Sequence, residues 1–286
     1  MEFSILGKTN REVSRVGFGG ATAGLKNYIS SFDPEKIPDR EPIIAAIKRA
    51  YELGINYFDT AASYGDGAGE CIFGEGISGL PREKIFLATK ASFSNGDKAR
   101  RSLEQSLINL RTDYVDLIQI HGGCYTDGEA ENILNENGML GAFIKAKEEG
   151  LAKHVGLTVE CVNGALHGLI REKSFETVQI RYNVMYQDPY DPSFKIGCMY
   201  EIERENLGII TMRTASSGIF QRWINEVNPK NDFDYTPALI QTVLSNPLVD
   251  VALIGMRTTS EVEHNVKICE DMKGRISLEK LHERYV

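Results

Sequence analysis

Asp59, Tyr64, Lys90 and His121 each stand at or just past the end of a short, mostly apolar, strand-like run. The runs are Ile55–Ala61, Ile85–Lys90 and Tyr114–His121. If these strands are parallel neighbours, a carboxylate, a phenol, an ammonium and an imidazole meet on one rim. Such a group can hand a proton to a carbonyl oxygen. The phenol of Tyr64 would be the donor, and an unperturbed tyrosine holds its proton up to about pH 10. A nearby ammonium from Lys90 is expected to lower that value by favouring the phenolate. Asp59 would pair with Lys90, and His121 would donate a hydrogen bond to the substrate oxygen and fix its direction.

The elements that must position these groups alternate along the whole chain. A short pair, Phe3–Leu6 and Val13–Arg15, precedes a strand at Val16–Gly20. Pro42 sits at a plausible first turn, followed by Ile43, Ile44, Ile47 and Tyr51 at helical spacing, with Gly54 as the stop. A Gly-rich turn (Gly65, Gly67, Gly69) leads to a helix near Glu70–Glu75. Asp97 is placed as N-cap of a helix running to Leu110. Helix Leu140–Glu149 follows the fourth strand, and four more strands are expected at His154–Thr158, Val178–Tyr182, Gly208–Met212 and Val249–Gly255. Helices fit between and after them at Val162–Glu172, Pro192–Asn206, Pro237–Leu244 and Thr259–Met272. Eight βα units without a linker predict one α/β domain over residues 1–286, a (β/α)8 TIM barrel whose carboxyl rim carries the chemistry. The open doubly wound alternative is disfavoured, because Gly17-Phe18-Gly19-Gly20-Ala21-Thr22 lacks the third glycine of a dinucleotide fingerprint.

Composition narrows the function classes. The chain has 286 residues, 42% apolar and 25% charged, enough for a large core. A formal net charge of -8 argues against nucleic acid and anionic membranes as partners. No apolar run approaches the roughly 18 residues of a membrane span. The start, Met1–Ser4, has no basic region with an apolar stretch behind it, so no signal peptide is expected. The five cysteines (Cys71, Cys124, Cys161, Cys198, Cys269) lie far apart with no CxxC pair, which suits reduced thiols and a cytoplasmic location. The five histidines lack ligand spacing, and no metal is expected.

On these residues the chain resembles the aldo-keto reductase superfamily. The likeness rests on Phe58-Asp59-Thr60-Ala61-x-x-Tyr64-Gly65, on Thr89-Lys90, and on Asp113-Tyr114-Val115-Asp116-Leu117-x-x-x-His121. It implies a (β/α)8 barrel with an N-terminal β-hairpin closing the bottom. It also implies that Asp59, Tyr64, Lys90 and His121 form a catalytic tetrad, with Tyr64 as general acid in reduction. The family binds a nicotinamide cofactor, mostly NADPH, extended across the rim. By resemblance Thr158 and Gln179 take the carboxamide, with Val159 where an Asn is common. The loop through Met212, Arg213, Thr214 and Ser217 wraps the pyrophosphate. The segment holding Gly255, Arg257, Glu261 and Asn265 takes the adenosine phosphate, near a helix N-terminus suited to an anion. Glu261 stands where many NADPH-using members carry Arg or Gln, and a carboxylate there would repel a 2'-phosphate. Arg257 would attract one, and NADP(H) is expected ahead of NAD(H).

The aromatic residues Tyr28, Tyr125, Phe220 and Trp223 are the expected substrate pocket, with Cys124 beside them. Beyond Gly255 the chain holds mainly the predicted helix and a tail, Leu278–Val286, which leaves little for a long loop over the mouth. A rather open site for small-molecule carbonyl compounds or sugars is the expectation. The chemistry expected is NAD(P)H-dependent reduction of an aldehyde or ketone, or the reverse oxidation of an alcohol or aldose. The competing expectation is a cofactor-binding regulatory subunit, a role known among relatives such as potassium-channel β subunits.

Overall fold

A computed structural model describes residues 1–283 of the chain. The last residues of the predicted tail, 284–286, lie outside the described part. Ten strands occur among the described residues: β1 (Phe3–Ile5), β2 (Glu12–Ser14), β3 (Val16–Gly19), β4 (Tyr57–Asp59), β5 (Phe86–Ser92), β6 (Val115–His121), β7 (Ala152–Val159), β8 (Thr177–Arg181), β9 (Gly208–Met212) and β10 (Val251–Gly255). Strands β3 to β10 run parallel in chain order and close on themselves through β10 and β3. With helices between the strands, this is the (β/α)8 barrel expected. β1 and β2 form the antiparallel N-terminal hairpin.

Strand side chains alternate in direction, so one parity of each strand faces the barrel interior. At the amino-terminal end those residues are Tyr57, Phe86, Leu117, Ile210 and Val251, packed in one buried cluster with Leu6 and Val13 from the hairpin region. The hairpin therefore plugs this end with two fully buried aliphatic side chains. Gly17 makes room inside. A Cβ there would lie 2.7 Å from Leu253 and 2.9 Å from Tyr57. The larger core lies between the strands and the helices around them.

Two residues further along the same parity, the interior turns polar: Asp59 follows Tyr57, Lys90 follows Ala88, Gln119 follows Leu117, and Gln179 follows Thr177. All four are buried. Asp116 has the opposite parity and faces outward at the start of β6. There it is fully buried and accepts hydrogen bonds from Arg82 Nη1 (2.7 Å), Lys153 Nζ (3.2 Å) and the Leu87 N–H (3.1 Å). That part of the Asp-Tyr-Val-Asp-Leu stretch is a strand anchor.

Several element limits differ from the sequence reading. The helix around Pro42 starts earlier and spans Ile37–Glu52, because Pro38 already occupies a first-turn position. The helix expected from Asp97 is capped by Asn95, whose Oδ1 accepts the Lys98 N–H at 3.0 Å. The helix expected over Pro192–Asn206 is only Cys198–Arg204, because the chain first passes through positive φ at Lys195 and Gly197. Helices Asp127–Leu134 and Ile219–Val227 were not expected. Among the described residues no helix is long and apolar enough to cross a membrane.

The cysteines are not all free. Cys124 and Cys161 are joined by a disulfide, with Cα atoms 4.9 Å apart, while Cys71, Cys198 and Cys269 are free thiols. Distance in sequence misled here. The two residues follow neighbouring strands, and the barrel brings their loops together.

Candidate active site

The carboxyl ends of the barrel strands surround a cavity of about 300 Å³. Asp59, Tyr64 and His121 line it with Thr158, Gln179 and Met212, and Gly19 and Gly255 border it at β3 and β10. Lys90 lies beneath, 1% exposed. The four residues picked out in the sequence therefore sit together.

Lys90 Nζ donates to Asp59 Oδ1 at 2.5 Å and to the Thr60 carbonyl at 2.7 Å. Gln119 Nε2 donates to the other carboxylate oxygen, Oδ2, at 3.2 Å. Burial pushes the Asp59 carboxyl up and the Lys90 ammonium down, and each is the main charge opposing the other's shift. Behind Lys90, Glu70 is fully buried and accepts from Thr89 Oγ1 (2.6 Å) and Asn109 Nδ2 (3.0 Å). Its charge also favours the ammonium.

Tyr64 reaches the cavity through the turn after β4. Lys90 Nζ lies 5.3 Å from its ring centroid, and its ring meets that of His121 edge-on at 5.6 Å. The expected acidification by Lys90 does not follow. Lys90 spends its hydrogen bonds on Asp59 and Thr60, and burial, then the Asp59 charge, holds the Tyr64 phenol well above its usual value. Tyr64 is a protonated phenol at neutral pH. Burial, helped by the Lys90 charge, lowers His121 to about 4, so its imidazole is neutral. Its Nδ1 lies 3.1 Å from Ser63 Oγ.

The other expected residues divide. Gln179 Oε1 and Thr214 Oγ1 are buried without a partner, as is Thr22 Oγ1 across the cavity. Thr158 lines the cavity, but its hydroxyl is spent on Gly122, accepting that N–H at 3.1 Å and donating to that carbonyl at 3.2 Å. Arg213 pairs with Glu160 at 2.9 Å, and Ser217 Oγ meets Tyr28 Oη at 2.9 Å. Arg213, Ser216 and Ser217 all adopt positive φ, which bends this loop sharply at the mouth.

Arg257, Glu261 and Asn265 lie outside the cavity lining. Arg257 donates to the Thr22 carbonyl (2.7 Å) and to Ser30 Oγ (2.8 Å) and stacks over Phe32 at 4.1 Å, leaving Nη2 without a partner. Glu261 turns its carboxylate back onto the N–H groups of Arg257 (2.5 Å) and Thr258 (3.1 Å) in a capping box. The helix end expected to take an anion is thus capped by the chain's own carboxylate. Asn265 is buried on that helix.

Three of the expected pocket aromatics are elsewhere. Tyr125 is 3% exposed and donates to the Thr158 carbonyl at 2.9 Å, filling the space that Gly122 leaves. Phe220 and Trp223 ride on helix Ile219–Val227, where Phe220 packs edge-on against Trp223 (6.0 Å) and Tyr235 (5.6 Å). Only Tyr28 lines the cavity.

The residues missed from the sequence are Ser63, Gln119, Glu70, Glu160 and Thr22. Gln119 carried a signal, since it shares parity with His121 and interrupts the apolar residues Leu117, Ile118 and Ile120.

A closed parallel barrel with its polar residues gathered at the carboxyl end is the architecture of a (β/α)8 enzyme. The model of the aldo/keto reductase family matches residues 15–276, and the chain belongs to that family. It is similar to L-galactose dehydrogenase of Arabidopsis thaliana, 26% identical over 96% of this chain and 90% of the relative. It also resembles methylglyoxal reductase DkgB of Salmonella typhi, 38% identical over 41% of this chain and 42% of the relative. Among solved structures, the holo form of an aldo-keto reductase from Bacillus halodurans superposes with a TM-score of 0.77 at 21% identity, covering 99% of this chain and 95% of that one. An aldo-keto reductase of Klebsiella pneumoniae in complex with NADP and acetate gives 0.73 at 18% identity, covering 99% and 94%.

Proposed function

We propose that the protein is a nicotinamide-dependent oxidoreductase that reduces an aldehyde or ketone, or oxidises an alcohol or aldose in reverse, within one domain. The observation that carries the reading is the Tyr64 ring set edge-on to His121 at 5.6 Å, with Lys90 Nζ 5.3 Å from its centroid and paired to buried Asp59.

The residues fit a nicotinamide dinucleotide. Gln179 Oε1, Thr214 Oγ1 and Thr22 Oγ1 are buried acceptors or hydroxyls with no partner of their own. Gln179 would hold the carboxamide, and the loop through Met212, Arg213, Thr214 and Ser217 would hold the pyrophosphate, with Gly255 packed closely on Thr22 at the rim. When bound, the dihydronicotinamide supplies a hydride to the carbonyl carbon. The protein supplies the proton. His121, neutral and held at Nδ1 by Ser63, presents Nε2–H to the substrate oxygen. Tyr64 donates its phenolic proton to that oxygen. Asp59, gripped by Lys90 and Gln119, fixes the floor of the site.

NADP(H) is proposed ahead of NAD(H). Arg257 has no carboxylate in salt-bridge range among the described residues and its Nη2 is buried without a partner, which makes this guanidinium the cation proposed to meet a 2'-phosphate. Against it stands the Glu261 carboxylate, which caps the helix from beside Arg257. The substrate class is small carbonyl compounds or sugars. We place its work in the cytoplasm, where three cysteines remain free thiols and the Cys124–Cys161 bond would be a reducible one rather than a permanent staple.

The test is oxidation of NADPH and NADH by the purified protein with a panel of aldehydes, ketones and sugars, alongside Tyr64→Phe. Loss of turnover in Tyr64→Phe with unchanged cofactor binding is expected. A wild type that binds cofactor yet reduces nothing would favour the regulatory-subunit reading.

A further inference from the structure

The register between β6 and β7 places His121 beside Thr158. Three residues beyond each comes a cysteine, Cys124 and Cys161, so neighbouring strands deliver the two thiols to the same height above the barrel. Their Cα separation of 4.9 Å falls within the roughly 4.4–6.8 Å that a disulfide spans. Cys124 is exposed and Cys161 half-buried, so dissolved thiols reach the bond.

The bond ties two loops that wall the cavity. Gly122 follows His121, and Glu160 precedes Cys161; both line the cavity. The Glu160 N–H donates to the Gly123 carbonyl at 2.9 Å, and the Glu160 carboxylate accepts from Arg213 Nη2 at 2.9 Å on the far side of the mouth. A continuous link thus runs from Cys124 through Cys161 and Glu160 to Arg213. Beside Cys124, the space where a Gly123 Cβ would lie is open, so once the covalent tie is gone the Glu160 N–H bond to the Gly123 carbonyl is the backbone contact left between the two loops here.

We propose that Cys124 and Cys161 are a redox-responsive clasp on the mouth of the site, closed as the disulfide and opened by a dithiol reductant. The inference rests on the carbonyl-reductase reading for its effect on turnover. In opening, a thiolate of the reductant attacks the exposed Cys124 sulfur, the S–S bond breaks, and Cys161 leaves as a thiolate that takes up a proton. The second thiol of the reductant then attacks the mixed disulfide, releasing Cys124 as a thiol and leaving the reductant as its own disulfide. Two electrons and two protons pass to the protein. Closure is the reverse, with a small disulfide as oxidant. Opening frees Glu160 from its place over the cavity, so bulky carbonyl compounds gain access and small ones are unaffected.

The test equilibrates the protein with reduced dithiothreitol or with oxidised glutathione. Peptide mapping should find Cys124 linked to Cys161 only in the oxidised sample. Amide hydrogen exchange over residues 121–125 and 159–163 should quicken on reduction. The ratio of kcat/KM for a bulky aldehyde to that for a small one should rise at least threefold. Cys124→Ser and Cys161→Ser should each behave as the reduced protein under both conditions. Absence of the linked peptide, or exchange unaltered by its reduction, overturns the clasp without any need for turnover. A linked peptide with exchange that responds, in a protein that reduces no carbonyl, overturns the proposed activity instead. An unchanged substrate ratio in an active enzyme overturns the gating role.

Discussion

Ser63 Oγ lies 3.1 Å from Nδ1 of His121, which leaves Nε2 as the nitrogen proposed to meet substrate. A neutral imidazole carries one N–H, and whichever ring nitrogen accepts a hydrogen bond leaves the proton on the other. If the Ser63 hydroxyl donates to Nδ1, Nε2 keeps its hydrogen and can donate to a carbonyl oxygen. Ser63 is thereby a positioning residue. Ser63→Ala should cost roughly 2–10-fold in kcat, the worth of one modest hydrogen bond, with cofactor affinity unchanged. Nitrogen NMR of His121 should show the Nδ1–H tautomer appearing in Ser63→Ala, and Ser63→Thr should restore the wild-type spectrum.

His121 sets a pH dependence. Its folded value of about 4 lies below the ordinary histidine value because burial and Lys90 disfavour the cation. The unfolded chain therefore binds more protons between roughly pH 6.5 and 4, and His121 makes stability fall as pH drops through that window. Urea unfolding from pH 7 to 4 should show this slope weakened in His121→Gln. The imidazole resonances should stay those of the neutral ring down to about pH 4.

Tyr64 acts in the opposite range. With its phenol held above the ordinary value, the reduction rate should not fall as pH rises from 7 to 9. The reverse oxidation needs the phenolate and should quicken over the same span. A reduction rate that halves near pH 8 on account of Tyr64 would contradict this.

Asp59→Asn leaves Lys90 buried without its direct anion. Removing one partner of such a pair typically costs about 3–5 kcal/mol. Chemical denaturation should register a loss of that order, and turnover should fall with it.

Arg257→Gln should weaken NADPH binding by roughly 10-fold or more, since hydrogen bonds to charged groups are the stronger kind. NADH binding should be unaltered. Quenching of protein fluorescence reads both without any carbonyl present.

Much of the barrel was legible because strand ends announce themselves where an apolar run meets a single ionisable residue, as at Asp59 and His121, although β5 runs two residues past Lys90. Their convergence needed only the parallel order of three strands. Contacts made across the fold were not legible. Phe220 and Trp223 read as pocket aromatics until helix Ile219–Val227 carried them outward. Tyr125 lies next to Cys124 in sequence, yet its ring fills the space beside Gly122. Glu261 reads as a cofactor contact by position, while its nearest donors are the amides of its own helix. The two cysteines, 37 residues apart, meet only because β6 and β7 are hydrogen-bonded in one register.

The buried layer of Asp59, Lys90, Gln119 and Gln179 has a cost for the barrel as a solid object. Hydrocarbon side chains of like volume in place of such an ion pair are often neutral or stabilising. A chain with leucine at 59 and methionine at 90 should melt no lower than the natural one while doing no chemistry at all. The carboxyl end of this barrel is thus built for the work done there and the amino end, closed by Leu6 and Val13, for cohesion.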